Sequence, residues 1–193
     1  TGVQTCALPI CSEVLVPMPT YPLYTAVLAR LGAEPRYYRT DPARGWLPDL
    51  DHLEQLVTSN TRAIVVIDPN NPTGVTYPDD VRRQLLAFAA RHDLVMLADE
   101  VYADMGFDGP VAPIGRLDPD AAIISFSSLS KAYLAPWWRT GWLAIGRSPR
   151  LNDIVAACHK LADARLCGTV PMQYAVEAAL TGDRSHQVAF RTD

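Results

Sequence analysis

The chain has 193 residues, of which 49% are hydrophobic and 20% charged, and this composition is typical of a soluble globular domain rather than a disordered chain. A formal net charge of -4 provides no basic surface for the phosphates of nucleic acid, so we expect no nucleic-acid partner. No apolar run approaches the roughly 18 residues that a membrane-spanning helix needs, so we expect no membrane contact.

Short β-rich runs alternate with amphipathic helical runs from Cys11 onwards. This alternation is typical of βαβ units and predicts an α/β fold with a mostly parallel sheet between layers of helices. Runs such as AIVVI are apolar without alternation, as expected for strands covered on both faces. The candidate strands are 13–16, 35–39, 63–67, 94–98, 121–126 and 141–145.

Helical runs fall between these strands, each with apolar residues at three- and four-residue spacing. Asp79 and Asp80 follow Pro78 and place negative charge in a first helical turn, where the helix dipole favours it. The candidate helices are 23–31, 50–58, 79–92, 149–165 and 172–181.

The first ten residues, TGVQTCALPI, have no starting Met, no charged segment and no periodicity, so they are not typical of a signal peptide. They resemble the translation of a common sequencing-library adapter, and we interpret residues 1–10 as a non-native tail. The cysteines form no C-x-x-C pair, which indicates neither a zinc site nor a redox motif and favours a reducing cytoplasm. They are Cys6, Cys11, Cys158 and Cys167.

Three polar clusters each follow an apolar run directly: DPNNPTG at 68–74, DEVY at 99–102 and the SFSSLSK stretch at 125–131. Because the carboxyl ends of parallel strands lie at one edge of a sheet, these clusters are predicted to form one pocket. Taken singly, each has an ordinary structural interpretation. N-P-T-G is typical of a turn, Asp99 and Glu100 of a helix cap, and Lys131 of a surface lysine.

The order and spacing of N-P-T-G, A-D-E-V-Y, S-x-S-K and an arginine eight residues beyond the lysine resemble a known family. From about residue 14 to 181 the chain is similar to class I/II (fold-type I) aminotransferases that depend on pyridoxal 5'-phosphate (PLP). The segments WLPDLD, DPNNPTG, LSKAY and RLCGTVPMQ are most similar to the alanine (glutamate-pyruvate) aminotransferase-like branch. The resemblance implies a partial PLP-binding large domain at 11–147, with helices at 148–193 that lead towards a C-terminal small domain.

The resemblance also implies catalytic roles. Lys131 would form a Schiff base with the PLP aldehyde and, once freed, act as general base at the substrate Cα. Asp99 would keep the pyridine nitrogen protonated, so that the ring can accept the electrons left by proton loss. Asn71 and Tyr102 match positions that hydrogen-bond the phenolic oxygen of the cofactor.

The remaining implied contacts are to the ring face and the phosphate. Tyr21 matches an aromatic residue that stacks on the ring, with a core aromatic as the alternative. Ser128, Ser130 and Arg139 would bind the phosphate through hydroxyl and guanidinium donors, although Arg139 could instead form a surface ion pair. One departure stands out: Trp137 occupies a position where the family usually has glycine. Either its side chain crowds the phosphate region or the residue is a read error.

We therefore predict an amino acid:2-oxo acid aminotransferase that uses alanine or glutamate with pyruvate or 2-oxoglutarate and works through pyridoxamine phosphate. The resemblance implies a cytoplasmic homodimer. It also implies that an upstream phosphate loop and a C-terminal arginine for the substrate carboxylate lie outside the sequence, so the fragment is expected to be inactive. Two alternatives stay open: a PLP-dependent C-S or carboxyl lyase of the same fold, and a ligand-sensing domain of a transcription regulator.

Overall fold

The computed structural model describes residues 12–165 and 168–192, which are built around one seven-stranded sheet of order β3-β2-β1-β4-β5-β6-β7. The five central strands are parallel, whereas β3 and β7 pair antiparallel at the two edges. The predicted mostly parallel α/β sheet is confirmed. The strands are β1 (Glu13–Met18), β2 (Glu34–Asp41), β3 (Leu47–Pro48), β4 (Thr61–Ile67), β5 (Val95–Asp99), β6 (Ile123–Ser128) and β7 (Gly141–Ile145).

Six α-helices accompany the sheet in the described residues. All five predicted helices are present, and their ends differ from the prediction by no more than a few residues. The first turn of α3 carries Asp79 and Asp80, as predicted. The helices are α1 (Pro22–Leu31), α2 (Leu50–Leu56), α3 (Asp79–Arg91), α4 (Asn152–Ala164), α5 (Val170–Thr181) and α6 (Ser185–Thr192).

The central strands are covered on both faces, which explains their continuous apolar sequence. In β4, Ile64 and Val66 belong to a cluster that packs against α2 and α3, while Val65 and Ile67 belong to a second cluster on the opposite face. Successive side chains of a strand point to opposite faces, so both must be buried.

The second face is packed less completely than the first. Helix α1 buries only Leu28, and a cavity of about 520 Å³ lies between this helix, the sheet and the start of α4. Leu23, Val27 and Leu31 of the same helix remain partly exposed. The helix is therefore held to the sheet by few apolar side chains.

None of the helices within 12–165 and 168–192 is both long enough and apolar enough to cross a membrane.

Residues 1–10, which we interpret as a non-native tail, lie outside the described residues, as do Cys11 and Cys167; Cys6 is part of the tail. Cys158 is described and forms no disulfide.

Candidate active site

A cavity of about 440 Å³ opens at the carboxyl edge of β4, β5 and β6. Every one of the eight site residues predicted from the sequence lines it, although they come from five separate stretches of chain. The eight are Tyr21, Asn71, Asp99, Tyr102, Ser128, Ser130, Lys131 and Arg139. Apolar side chains, among them Ile67 and Phe126, complete the wall. The predicted convergence of the three polar clusters is thus observed.

Lys131 lies in the turn that follows β6, beside the cavity wall. Its Nζ is 5.3 Å from the centroid of the Tyr102 ring, a distance at which an ammonium group is attracted to an aromatic face. The turn is fixed by its own polar groups, since the amide of Ser130 donates to Ser128 Oγ at 3.2 Å. The lysine amine is therefore directed towards the same space as the aromatic ring.

Asp99 ends β5 and is buried at the floor of the cavity. Burial raises the pKa of its carboxyl group, because the charged form loses its hydration. Three contacts oppose this shift: a hydrogen bond from Tyr24, a backbone hydrogen bond from Val101 and the positive charge of Lys131. A cationic ligand in the cavity would add a fourth, and it would favour the ionised form most strongly.

The sequence did not indicate Tyr24 as a site residue. Its hydroxyl donates to Asp99 Oδ2 at 2.5 Å, and its ring lines the cavity. Burial, reinforced by the negative charge of Asp99, raises the pKa of Tyr24 well above its usual range, so the phenol stays protonated and remains a donor. The hydrogen bond joins residues that are far apart in sequence, so no local pattern indicated it.

Asn71 lies in a loop whose residues 70–74 form a hydrogen-bonded turn. Asn70 Oδ1 accepts from both the amide and the hydroxyl of Thr73, and the amide of Gly74 donates to the carbonyl of Asn70. Gly74 has a φ of 75°, in the left-handed region that favours glycine. The turn interpretation of N-P-T-G is therefore confirmed, and the turn holds Asn71 at the cavity; the role of Asn71 in binding stays a prediction.

Donors for an anion are among the residues that line the cavity: Ser128, Ser130 and Arg139. Ser128, at the last position of β6, faces Gly141 of β7 across the antiparallel pair. Arg139 has a φ of 52°, and its Nη1 donates to the carbonyl of Pro136 at 2.7 Å. It makes no ion pair with any carboxylate of the described residues, so the alternative of a surface ion pair is not supported.

Two side-chain placements decide between the alternatives left open by the sequence. Tyr21 is 44% exposed and lines the cavity, so it is not a core aromatic. Trp137 is 89% exposed and contributes to a separate surface pocket with Leu134 and Trp138. Of the two alternatives for Trp137, crowding is therefore not found, because Trp137 is not among the residues that line the cavity.

The fold and the cavity together define a class: an α/β protein with a candidate ligand site, at the carboxyl edge of a parallel sheet, that combines a lysine amine with a buried carboxylate. The family model for aminotransferase class I and II matches residues 2–192. The chain belongs to this family.

Individual relatives agree with this assignment. Alanine aminotransferase of Mycobacterium bovis is 40% identical over 175 residues, which cover 90% of this chain and 41% of the relative. Glutamate-pyruvate aminotransferase AlaA of Escherichia coli is 37% identical over 175 residues, which cover 90% of this chain and 43% of the relative. The chain thus spans less than half the length of these curated relatives.

Solved structures show the same architecture. Alanine aminotransferase from Pyrococcus furiosus superimposes with a TM-score of 0.93 at 34% identity, over 98% of this chain and 49% of the other. An aspartate aminotransferase from Thermus thermophilus, solved with maleate, superimposes with a TM-score of 0.84 at 28% identity, over 98% of this chain and 48% of the other.

Proposed function

We propose that the protein is a PLP-dependent aminotransferase that moves an amino group between an amino acid and a 2-oxo acid, with alanine or glutamate as donor and pyruvate or 2-oxoglutarate as acceptor. The observation that carries the proposal is the convergence of the lysine amine, the buried carboxylate and the anion donors on one cavity. The choice of substrates is supported by the names of the M. bovis and E. coli relatives.

The cavity fits the cofactor in size and chemistry. Its volume of about 440 Å³ is in the range of small-molecule sites. Asp99 would hold the proton on the pyridine nitrogen, and this pairing compensates a buried carboxylate that otherwise loses hydration. Tyr21 would cover the ring face, and Asn71 and Tyr102 would hydrogen-bond the phenolic oxygen. When bound, PLP supplies an electron sink for the negative charge that develops at the substrate Cα.

The amine of Lys131 would have two chemical roles. Its Nζ would hold the cofactor aldehyde covalently, and after displacement by the substrate amine it would move a proton at the substrate Cα. The amine must be in its neutral form to accept this proton. Ser128, Ser130 and Arg139 would bind the phosphate and so fix the ring relative to Nζ.

The same proposal includes a cytoplasmic homodimer, with a large domain at 11–147 and helices at 148–193 that lead to a small domain. The family resemblance supports the dimer and the domain division. The cysteine pattern supports the compartment.

The chain contains only two lysines, Lys131 and Lys160, and this allows a sharp test of the site. After incubation with PLP and reduction with borohydride, we expect mass spectrometry to find the cofactor attached at Lys131. Lys131→Ala should lose the adduct and the visible absorbance of the bound cofactor. Lys160→Ala, on the exposed side of α4, is the matched control and should retain both. An adduct on Lys160 alone would refute the assignment.

Amino transfer itself is tested in the full-length protein. With alanine as donor we expect the cofactor to change to its amino form, and 2-oxoglutarate should restore the starting spectrum. Lys131→Ala should slow this exchange by about a thousandfold or more.

The same experiment distinguishes the alternatives. If the product lacks a sulfur substituent or a carboxyl group, and 2-oxo acid does not restore the starting spectrum, the protein is a lyase. A helix-turn-helix segment in the full-length protein would indicate the regulator.

A further inference from the structure

A buried ion pair lies behind the active site, on residues that take no direct part in it. Asp68 follows the last residue of β4 and is 1% exposed, and Arg82, in the first half of α3, is 4% exposed. Arg82 Nε donates to Asp68 Oδ2 at 2.7 Å. Pairs of this kind lose much hydration when they are buried, so their presence calls for a role besides stability.

Asp68 connects two of the segments that line the active site. Its backbone amide donates to the carbonyl of Asp99 at 2.9 Å, which ties the end of β4 to the residue that would face the cofactor ring. Its other carboxylate oxygen accepts from the amide of Tyr77 at 3.0 Å. Asp68 and Tyr77 are the two ends of the loop that carries Asn71, so this one carboxylate closes that loop.

Arg82 extends the connection to a third segment. Its Nη1 donates to the carbonyl of Ala112 at 3.3 Å and to Asp79 Oδ1 at 3.2 Å. Ala112 lies in the stretch that returns to the core after Tyr102, and the amide of Val111 in this stretch donates to the carbonyl of Ala103 at 2.7 Å. The guanidinium therefore bridges the loop of Asn71 and the segment of Tyr102.

Glu100 joins the same group from the other side. It follows Asp99, is buried, and its Oε1 accepts from the amide of Ile114 at 2.6 Å. Burial raises the pKa of Glu100; the negative charge of Asp68 adds to this shift, and the positive charge of Arg82 opposes it. The positive charge of Arg82 thus acts on the carboxyl groups of both Asp68 and Glu100.

We propose that the buried ion pair of Asp68 and Arg82 is a positioning device for part of the cofactor site: it fixes the relative placement of the Asn71 loop, the end of β5 and the segment that follows Tyr102. The inference rests on the proposed function. Neither residue lines the cavity, so both act through the backbone of these segments. If a hydrogen bond of the ion pair were lost, the side chains of Asp99 and Asn71 could move apart.

The test uses Arg82→Met, Arg82→Lys and the control Arg116→Met in the full-length protein, with the dissociation constant of PLP and the visible spectrum of the bound cofactor as readouts. Arg116 also bonds to Asp79, at 3.1 Å, but on the surface. We expect Arg82→Met to weaken PLP binding by about tenfold to a hundredfold, in line with the effect of small displacements of site groups. Arg116→Met should bind PLP as the unmodified protein does.

Two further variants separate positioning from folding. Arg82→Lys keeps the charge but loses the planar fork, so it should fold and still weaken PLP binding by severalfold. Asp68→Asn/Arg82→Met removes both charges and should recover the melting temperature that Arg82→Met loses, without recovering PLP affinity. Folded Arg82 variants that bind PLP with unchanged affinity and spectrum would overturn the inference. If the unmodified protein binds no PLP, the proposed function fails instead.

Discussion

Asp99 occupies a buried position in the candidate active site that lowers the stability of the chain. The cofactor-free protein holds this carboxylate in a buried position at the end of β5, where burial raises its pKa. The hydrogen bond from Tyr24 and the charge of Lys131 reduce the cost without removing it. A protonated ring nitrogen in the cavity would compensate the charge of Asp99 directly. The buried carboxylate is therefore better suited to the protein with its ligand than to the protein without it.

Asp99→Asn is therefore expected to stabilise the cofactor-free chain at pH 7, by about 0.5–2 kcal/mol, the range usual for single stabilising substitutions. The folded chain binds the Asp99 proton more tightly than the unfolded chain does, so ionisation costs stability as pH rises through the folded pKa. The gain from Asn should shrink as pH falls towards the ordinary pKa of aspartate. Urea unfolding at pH 4 and pH 7 measures both effects.

Asp108→Asn, at an exposed loop position, is the control and should change stability at neither pH. With PLP present the effect of Asp99→Asn should reverse, because the variant can no longer compensate the ring cation. An Asn variant that is less stable than the unmodified chain at pH 7 without cofactor would contradict the burial argument.

Trp137→Gly tests a second residue-scale conclusion. The side chain is exposed and is not among those that line the cavity, so its removal should leave the dissociation constant of PLP unchanged within a factor of about two. Equilibrium titration of the cofactor absorbance measures this directly. A marked gain in affinity would show that the indole reaches the phosphate end after all.

Among the elements, α3 is the helix that anchors the sheet. It buries Leu85 and Phe88 against the first apolar cluster and also supplies Arg82 to the ion pair behind the site. By contrast, α4 and α5 contain no buried residue among their described side chains. The helices therefore differ in how much each contributes to the core.

Leu85→Ala should consequently destabilise the chain by about 2–5 kcal/mol, through lost burial and the cavity left behind. Leu161→Ala, at an exposed position of α4, is the same substitution without the cavity and should cost no more than about 0.5 kcal/mol. Denaturant midpoints of the two variants give the comparison. Equal losses would mean that α4 packs as tightly as α3.

The sequence predicted those elements whose apolar pattern is long and regular. β4 and α3 were found with nearly correct ends, because β4 is a continuous apolar run and α3 has the apolar spacing of a helix buried on one face. β3 was missed because two residues carry no period, and α6 because SHQVAFRT offers few apolar positions. Site residues directly after strands were predictable from topology.

Other parts of the site depend on contacts that no local pattern encodes. Arg82 and Arg83 are adjacent arginines in an amphipathic helix, yet only Arg82 is buried, because Asp68 lies opposite it. Similarly, the bond between Tyr24 and Asp99 joins residues 75 positions apart. Such pairs become visible only once the sheet has brought the segments together.

At the scale of the whole molecule, the two faces of the sheet have different tasks. The face packed against α2 and α3 forms the larger apolar cluster. The opposite face carries α1, and a cavity of about 520 Å³ lies between this helix and the sheet; Tyr24 of α1 and Tyr21, which precedes the helix, line the candidate active site. The division between a large domain at 11–147 and helices at 148–193 stays a prediction.

The sparse packing of α1 has a consequence for how the protein withstands digestion. Helix α1 buries only Leu28 and is otherwise held by Tyr24, so it should open locally at a cost below that of global unfolding, and each opening offers the exposed Arg30 to trypsin. Opening also dismantles the wall formed by Tyr21 and Tyr24, so a filled site must resist it. At a PLP concentration one hundred times the dissociation constant, cleavage after Arg30 should slow by up to about 100-fold. Equal digestion rates with and without PLP would show that the helix stays closed on its own.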